Sequence, residues 1–302
     1  MKRKSVALFT LIAFVVTMSI LVFSACDGAT KEGKGAKLLF FDDFDTLNTE
    51  VWNVYTAKTE TDEGWGPEDG IRRGGFWDKK QVFTEDGNLV IRTEIRDGVA
   101  YTGAIDSDNK LEMHYGYYEV RCKVPQAPGI WSAFWIFCDE MGAHSKDPDI
   151  SGTEIDIFES PFYGAKEPAF QSAIHIGDYV TSNALATGGP NYLKKENISS
   201  GASDIYDGEY HLFGLDWQES YYRFYVDGIL HYEITTADVK ISNKDSFLFL
   251  SCEIGGSDGK IGETPWAVSV ALLGGSEYRF AEKYSPVDFL VDYVKVYDVM
   301  PV

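Results

Sequence analysis

Short stretches in which apolar and polar side chains alternate run through most of this chain. Residues 89–96, 117–124 and 221–226 are three examples. An alternation of period two places the apolar side chains on one face and is typical of antiparallel sheets. Asp227-Gly228 directly follows the third stretch and is a strong hairpin signal. No amphipathic helical pattern and no internal repeat occur after residue 37, so the sequence predicts an all-β protein.

The chain beyond residue 37 is predicted to form one domain. No linker divides residues 38–302, and 44% of the residues in the sequence are hydrophobic, which is enough for a large core and excludes a disordered chain. We therefore expect two packed antiparallel sheets. Long loops rich in Gly and Asp, predicted to form walls or lids, lie at 58–75, 139–152, 181–209 and 255–277.

The charge balance narrows the range of partners. With 27 Lys and Arg against 47 Asp and Glu, the formal net charge is −20. Binding of phosphate backbones needs a basic surface, so nucleic acid is excluded as a partner. The same charge suits an exported protein and is a poor match for a polyanionic glycan.

The N-terminus has the pattern of a secretory signal. Three basic residues at positions 2–4 precede an almost wholly apolar stretch over 5–23, which ends in small residues before Cys26. This end resembles a bacterial lipobox. We therefore predict that 1–25 is a signal peptide, that Cys26 is lipidated, and that 26–37 is a flexible tether. The expected product is an exported lipoprotein anchored to a bacterial membrane, facing the surface or the periplasm. The alternative is a retained membrane span.

Three cysteines remain after Cys26. Cys122, Cys138 and Cys252 each lie in an apolar run, and their odd number argues against a complete disulfide framework. We expect buried free thiols. One disulfide with one free thiol is the alternative.

The segment Gly-Thr-Glu-Ile-Asp-Ile-Phe-Glu-Ser at 152–160 concentrates acidic residues in an apolar strand. Glu154 and Asp156 share one face because they are two residues apart. Glu159 would lie on the opposite face of a regular strand, where a lone buried carboxylate is costly. An extra residue near Ile157, which is a β-bulge, brings all three acids onto one face. The spacing therefore predicts a bulge.

Acids grouped in this way suit glycoside hydrolysis. That reaction needs one carboxylate and one carboxylic acid, about 5–5.5 Å apart in retaining enzymes. Mutual repulsion raises the pKa of at least one acid, which keeps it protonated near neutral pH. A solvated acidic face is the alternative interpretation.

A strand rich in aromatic residues precedes the acidic segment. Trp131 and Trp135 are four residues apart and therefore share a strand face. Flat indole rings stack on the apolar faces of sugars. The alternative is that both side chains belong to the core.

The string YGYYEVRCKVPQAPGIWSAFWIF, followed by GTEIDIFES, closely resembles family 16 of the glycoside hydrolases. The segments FFDDFDTLNTEVWNVY, DGNLVIRTE, HLFGLDW, YRFYVDG and FLVDYVKVYD fit the same family in order, so the resemblance covers nearly all of 38–298. It implies a β-jelly-roll with a concave sheet that forms an open cleft. The six-residue form of the motif resembles the bulged, laminarinase-like branch.

The resemblance also implies roles for individual residues. Glu154 matches the nucleophile, Glu159 the acid/base and Asp156 the assisting aspartate, while Trp131 and Trp135 match cleft tryptophans. Further contacts with substrate are expected from Glu119 and His175; the alternatives are a surface ion pair for Glu119 and a packed histidine for His175.

Two segments depart from the family pattern. Thr102-Gly103-Ala104 stands where many members have Ser-Gly-Arg, and the late strand reads Ser-Cys-Glu-Ile-Gly-Gly from residue 251 instead of Asn-x-Ala-x-Gly-Gly. Glu253 therefore adds an acid near the expected cleft. We interpret it as an acceptor for a sugar hydroxyl, with a rim charge as the alternative. The Arg72–Trp77 loop is expected to wall one end of the cleft.

A structural calcium ion is a further implication of the resemblance. Related enzymes often hold one with an aspartate of the last strand and backbone carbonyls, and Asp292 and Gly87 occupy the matching positions. Oxygen-only ligation suits calcium. The alternative is that no metal binds, and no cofactor is required for the chemistry.

The sequence therefore predicts a retaining endo-β-glucan hydrolase, with endo-β-1,3-glucanase activity first. Its expected partner is a neutral β-glucan, and we expect a monomer. The alternatives within the family are a mixed-linkage β-1,3/1,4-glucanase, a β-galactanase and a transglycosylase. An alternative of another class is a glycan-binding lipoprotein without catalysis, which would not need the three acids.

Overall fold

The computed structural model describes residues 35–55, 71–141, 145, 147–161, 163–164, 169–176, 192–194, 205–262 and 279–301. All of them belong to one compact unit, Gly33–Val302. The predicted signal peptide, Cys26 and most of the predicted tether lie outside the described residues. Strand β1 begins at Leu38, the residue at which the sequence predicts that the domain starts.

The described residues form 21 strands and one short α-helix. The strands are β1 Leu38–Asp42, β2 Asn53–Val54, β3 Ile71–Arg72, β4 Gly75–Trp77, β5 Val82–Glu85, β6 Asn88–Arg96, β7 Val99–Thr102, β8 Ala104–Asp106, β9 Glu112–Met113, β10 Gly116–Lys123, β11 Ile130–Phe137, β12 Thr153–Glu159, β13 Ala169–Ile176, β14 Tyr192–Lys194, β15 His211–Gln218, β16 Tyr221–Val226, β17 Ile229–Thr235, β18 Ser246–Ile254, β19 Gly256–Ser257, β20 Lys260–Ile261 and β21 Val287–Tyr297. The α-helix is Pro148–Ser151, and 3₁₀ turns span Lys79–Gln81 and Glu282–Tyr284. Within these ranges, no helix is long and apolar enough to cross a membrane.

Two sheets make up the sandwich. The eleven-stranded sheet has the order β17-β16-β15-β10-β21-β6-β7-β4-β3, with β1 on β21 and β5 on β6. The eight-stranded sheet has the order β14-β13-β12-β11-β18-β8-β2, with β9 on β18. Pairing is antiparallel except between β4 and β7, and β19 and β20 form a separate ribbon. The prediction of two packed antiparallel sheets is confirmed.

The main core lies between the two sheets. Tyr118 and Val120 of the eleven-stranded sheet belong to the same buried cluster as Phe134, Ile136 and Ile155 of the eight-stranded sheet. Burial of this apolar surface is the dominant favourable contribution to folding. A second, smaller cluster, defined by Trp77, Ala104, Ala133, Trp135, Phe137, Met141, Phe247 and Phe249, lies on the other face of the eight-stranded sheet. We call that face the open face.

Local predictions agree with the structure in several places. The Asp227-Gly228 hairpin forms between β16 and β17, and both residues have positive φ, at 48° and 76°. Cys122, Cys138 and Cys252 are free and buried, as expected. The predicted loops contain more regular structure than their composition indicates, since β14 lies within 181–209 and the β19–β20 ribbon within 255–277.

Candidate active site

The acidic segment forms β12, and the strand is bulged where its spacing predicts. On the β11 side, Phe134 faces Phe158 and Trp135 faces Asp156, so Ile157 has no opposite residue. The register with β13 shifts at the same place. The side chains of Ile155, Ile157 and Phe158 belong to the main core. The bulge prediction is therefore confirmed.

The strand also begins at a position that only glycine fits. Gly152 has φ 64°, and a Cβ added there would collide with Sγ of Cys138. A left-handed φ and a close approach are the two conditions under which glycine is required. Gly152 therefore fixes how the chain enters β12 before Glu154.

Register places the three acids on the open face. Asp156 faces Trp135 and Glu159 faces Ala133, and both partners belong to the cluster on that face. Glu154 lies opposite His175 of β13. The bulge thus brings Glu159 to the same side of the sheet as Glu154 and Asp156.

Glu159 is a buried carboxyl with a raised pKa. Burial and the negative charge of Asp156 raise its pKa well above the ordinary value for a glutamate, although Nε2 of Gln171 donates a hydrogen bond to Oε2 at 2.6 Å and opposes the shift. A carboxyl kept protonated at neutral pH can donate a proton to a leaving group. The environment of Glu159 therefore suits a general acid.

His175 supplies positive charge beside the other two acids. Its Nε2 lies 3.3 Å from Oδ2 of Asp156 and 3.9 Å from Oε1 of Glu154. Burial lowers the pKa of His175, but the hydrogen bond with Asp156 and the charges of Asp156, Glu154 and Glu159 outweigh it and raise the pKa to about 9. His175 is therefore an imidazolium at neutral pH, and its positive charge lies beside both carboxyl groups.

The same three side chains are the only group among the described residues that could converge on a metal ion. The ligand atoms of Glu154, Asp156 and His175 lie within 4.8 Å of one another. A metal ligand must be a neutral imidazole. With its pKa raised to about 9, His175 would have to lose its proton before it could bind a metal ion.

Both predicted cleft tryptophans lie on the open face, but each is only 7% exposed. The ring of Trp135 stacks on Phe249 with centroids 4.2 Å apart, and its Nε1 donates to Oγ of Ser251 at 3.1 Å. The ring of Trp131 lies under the guanidinium of Arg73, 4.8 Å from the ring centroid. Contact of either ring with sugar remains a prediction.

Glu253 has a different environment from the one the sequence suggests. Its Oε1 pairs with Arg72 at 2.6 Å, and its Oε2 pairs with Arg73. Burial alone would raise the pKa of Glu253, yet the two guanidinium groups lower it. Glu253 therefore anchors Arg72 and Arg73 through both carboxylate oxygens. Its contact with a sugar hydroxyl remains a prediction.

The arginine segment is tightly joined to the end of β18. Gly74 N donates to the Ile254 carbonyl at 2.9 Å, and a Cβ on Gly74 would collide with the Gly255 carbonyl. Arg73 has a left-handed backbone, with φ 54°. Such strain in a residue other than glycine persists only where the surroundings impose it. The segment is therefore held firmly beside Trp131, and its role as a wall at one end of a cleft remains a prediction.

The prediction that Glu119 contacts substrate is wrong in this structure. Glu119 lies on β10 of the eleven-stranded sheet, between neighbours Tyr118 and Val120 that point into the main core. Its side chain therefore points away from the eight-stranded sheet, where it accepts hydrogen bonds from Tyr117 and Tyr293. Parity fixes the side of a strand but does not say to which sheet the strand belongs.

The two predicted calcium ligands lie outside the acidic site. Oδ2 of Asp292 accepts a hydrogen bond from Nη1 of Arg121 at 2.6 Å, and Gly87 lies in the turn between β5 and β6. A guanidinium already balances the charge that Asp292 would offer to an ion, so this donor set fits calcium poorly. No step of the chemistry is assigned to calcium, which remains a prediction.

Two features of the site are not predicted from the sequence. Gln171 contacts Glu159, and the alternation of Gln171, Ala173 and His175 along β13 was a signal that could have found it. The pairing of Arg72 and Arg73 with Glu253 had no comparable signal, because these residues are about 180 positions apart in sequence.

A β-sandwich that carries a carboxyl of raised pKa beside two further carboxyl groups on an open sheet face has the features of a glycoside hydrolase. Residues 74–261 match the family described as "Glycosyl hydrolases family 16". This match spans more than half of the sequence. The chain therefore belongs to glycosyl hydrolase family 16.

Individual relatives agree with this assignment. The chain is 26% identical over 297 residues to glucan endo-1,3-beta-glucosidase A1 of Niallia circulans, covering 87% of this chain and 38% of that protein. It is 31% identical over 199 residues to endo-1,3-1,4-beta-glycanase ExoK of Rhizobium meliloti (strain 1021), covering 65% of this chain and 61% of that protein. The chain thus spans less than two thirds of the length of either relative.

Comparison with a solved structure supports the family assignment at the level of the fold. The crystal structure of laminarinase from Flavobacterium sp. UMI-01 superimposes with a TM-score of 0.61 at 26% identity, covering 86% of this chain and 100% of that chain. The two proteins share the β-jelly-roll sandwich, so the predicted fold is confirmed.

Proposed function

We propose that this protein is a retaining endo-β-glucan hydrolase that acts first on β-1,3-glucan. The observation that carries the proposal is the bulge at Ile157, which brings Glu154, Asp156 and Glu159 onto one face of β12. The raised pKa of Glu159 gives one protonated acid among neighbours stabilised by His175. This is the set of charges with which double displacement begins.

In the first half of the reaction, Glu154 attacks the anomeric carbon of the sugar. The bond from that carbon to the glycosidic oxygen breaks, and Glu159 transfers its proton to the departing oxygen. The product of this step is a glycosyl ester on Glu154, and Glu159 is left as a carboxylate.

In the second half, a water molecule replaces the departed sugar. Glu159 takes a proton from the water, whose oxygen attacks the anomeric carbon and releases Glu154. Two inversions at the same carbon retain the β configuration. The cycle ends with Glu159 protonated again.

Asp156 and His175 adjust the charges around these steps. Nε2 of His175 lies 3.3 Å from Oδ2 of Asp156 and 3.9 Å from Oε1 of Glu154, so its positive charge stands beside both acids. The charge of Asp156 in turn raises the pKa of Glu159. One ion pair thus supports a nucleophile that must be charged and an acid that must be neutral.

The linkage is proposed from the relatives. The names of the Niallia circulans relative and of the Flavobacterium structure refer to 1,3-β-glucan hydrolysis, which supports β-1,3-glucan as the first substrate. The name of the Rhizobium relative refers to a 1,3-1,4-β-glycanase and supports mixed-linkage glucan as the second candidate. A product profile on both glucans and on a β-galactan separates these activities, and transfer to an oligosaccharide acceptor measures transglycosylation.

The test of the proposal uses Glu154→Ala and Glu159→Ala on β-1,3-glucan. We expect each variant to lose nearly all release of reducing ends, with Glu119→Ala as a matched control whose carboxylate lies on the other sheet. Undiminished hydrolysis by either active-site variant would end the assignment. Binding of glucan without turnover by the unmodified protein would favour a glycan-binding lipoprotein.

The membrane anchor is a second part of the proposal. It rests on the basic start, the apolar stretch and the small residues before Cys26. Mass spectrometry of the protein expressed in a bacterial host tests it. We expect a diacylglycerol on Cys26, and Cys26→Ser should release the protein from the membrane fraction.

A further inference from the structure

The backbone at the bulge is held by a side chain of the neighbouring strand. Ile157 has no opposite residue in the register with β11, and the register with β13 shifts between Asp156 and Glu159. Oγ of Ser172, on β13, donates a hydrogen bond to the Ile157 carbonyl at 2.7 Å. Ser172 is fully buried. Since a bulge disrupts the ladder locally, this hydroxyl supplies a bond at the point where regular pairing fails.

A histidine of the opposite sheet stands behind Ser172. Nε2 of His231, on β17, lies 3.2 Å from Oγ of Ser172. The single hydroxyl proton of Ser172 goes to Ile157, so Nε2 of His231 is the donor in this pair. Burial lowers the pKa of His231 to about 4, which keeps the ring neutral. The bonds run from His231 through Ser172 to Ile157 and cross the core between the sheets.

We propose that Ser172, supported by His231, holds the bulge at Ile157 and thereby positions Glu159 for proton transfer. The inference rests on the proposed function, in which Glu159 is the acid/base. Ser172 touches no reacting atom, so it is a positioning residue.

The consequence of losing the hydroxyl follows from the geometry. Without Ser172 Oγ, the buried Ile157 carbonyl loses a bond that no water replaces easily. The strand can then loosen around Ile157, so that Glu159 is held less firmly and is more open to water on the open face. A misplacement of about 1 Å can lower a catalytic rate by as much as about 100-fold.

The test is Ser172→Ala, measured by the pH dependence of kcat. We expect kcat to fall about tenfold or more while KM changes little, because positioning is lost and sugar binding is not. The basic limb of the profile should move to lower pH, since a loosened Glu159 is better hydrated. The charged groups that face Glu159, namely Asp156, Glu154, His175 and Arg73, are unchanged in this variant.

Two further variants separate positioning from folding. Ser172→Thr keeps the hydroxyl and should restore both kcat and the basic limb. Thr93→Val removes a buried hydroxyl that bonds to Thr102 at 2.9 Å between β6 and β7 of the other sheet, and should lower the melting temperature without moving the pH profile. A melting temperature lowered by Ser172→Ala, with kcat and the basic limb unchanged, would overturn the inference.

His231 gives a second line of evidence if Ser172→Ala does not fold. We expect His231→Leu to lower kcat, but by less than Ser172→Ala does. His231→Gln can still donate a hydrogen bond to Ser172 and should keep most of the kcat of the unmodified protein. Titration of Glu159 by ¹³C NMR needs no turnover. If the proposed function fails but Ser172→Ala still lowers the pKa of Glu159, the positioning role stands; an unchanged pKa rejects it.

Discussion

Asp156 and Glu159 are three residues apart on β12, yet both side chains lie on the open face of the eight-stranded sheet. In a regular strand an odd separation would place them on opposite faces. The extra residue, Ile157, turns its side chain into the core and restores the parity. One inserted residue therefore decides whether the carboxyl of Glu159 lies in the core or on the open face with Asp156.

Two substitutions should move the pKa of Glu159 in opposite directions. Gln171→Leu removes a hydrogen bond that favours the carboxylate, so the pKa should rise and the basic limb of the kcat profile should move to higher pH. Asp156→Asn removes the negative charge that raises the pKa, so the limb should move to lower pH. Shifts of the same sign in both variants would contradict the assignment of Glu159 as the acid.

The raised pKa of His175 makes stability depend on pH. The folded pKa of about 9 exceeds the ordinary value of 6.5, so the contribution is fully present below pH 6.5 and is lost as pH rises through 9. The difference corresponds to about 3 kcal/mol of unfolding free energy. Urea unfolding at pH 6 and at pH 10 measures the fall in unfolding free energy between these two pH values. We expect this fall to disappear in His175→Gln.

The control for that experiment is His114→Gln. His114 contacts Asp245 at 2.6 Å, but both side chains are well exposed. Exposed pairs contribute about 0–1 kcal/mol, so the loss of stability between pH 6 and pH 10 should persist in this variant. A loss that persists equally in His175→Gln would show that His175 is not its source.

Removing Glu253 should destabilise the protein strongly. Glu253→Ala leaves Arg72 and Arg73 close together without their shared counter-ion. Breaking a buried ion pair on one side costs about 3–5 kcal/mol. Urea unfolding measures the effect, and the double variant Glu253→Ala with Arg73→Ala should recover part of the stability.

Glu233→Ala is the matched control for this prediction. Glu233 pairs with Arg223, and both side chains are 37% exposed. Loss of such a surface pair should cost less than about 1 kcal/mol. Equal costs for Glu233→Ala and Glu253→Ala would mean that the Glu253 cluster behaves as an ordinary surface pair.

Local patterns predicted the fold and the centre of the site, because both follow from period and parity. Alternation along β10 and β16 indicated the strands, and the five-residue offset from Glu154 to Glu159 required the bulge. Glu119 was misplaced because its alternation is the same whichever sheet β10 joins. The environment of Glu253 depends on a distant arginine segment, and no local pattern encodes such a contact.

The stereochemistry of the first product tests the central claim most directly. Proton NMR of the anomeric signal during hydrolysis of β-1,3-glucan follows the new reducing end before mutarotation. If Glu154 attacks the sugar and Glu159 then activates water, the β-anomer must appear first and the α-anomer only later. Initial release of the α-anomer would contradict the glycosyl ester on Glu154 and with it the double-displacement mechanism.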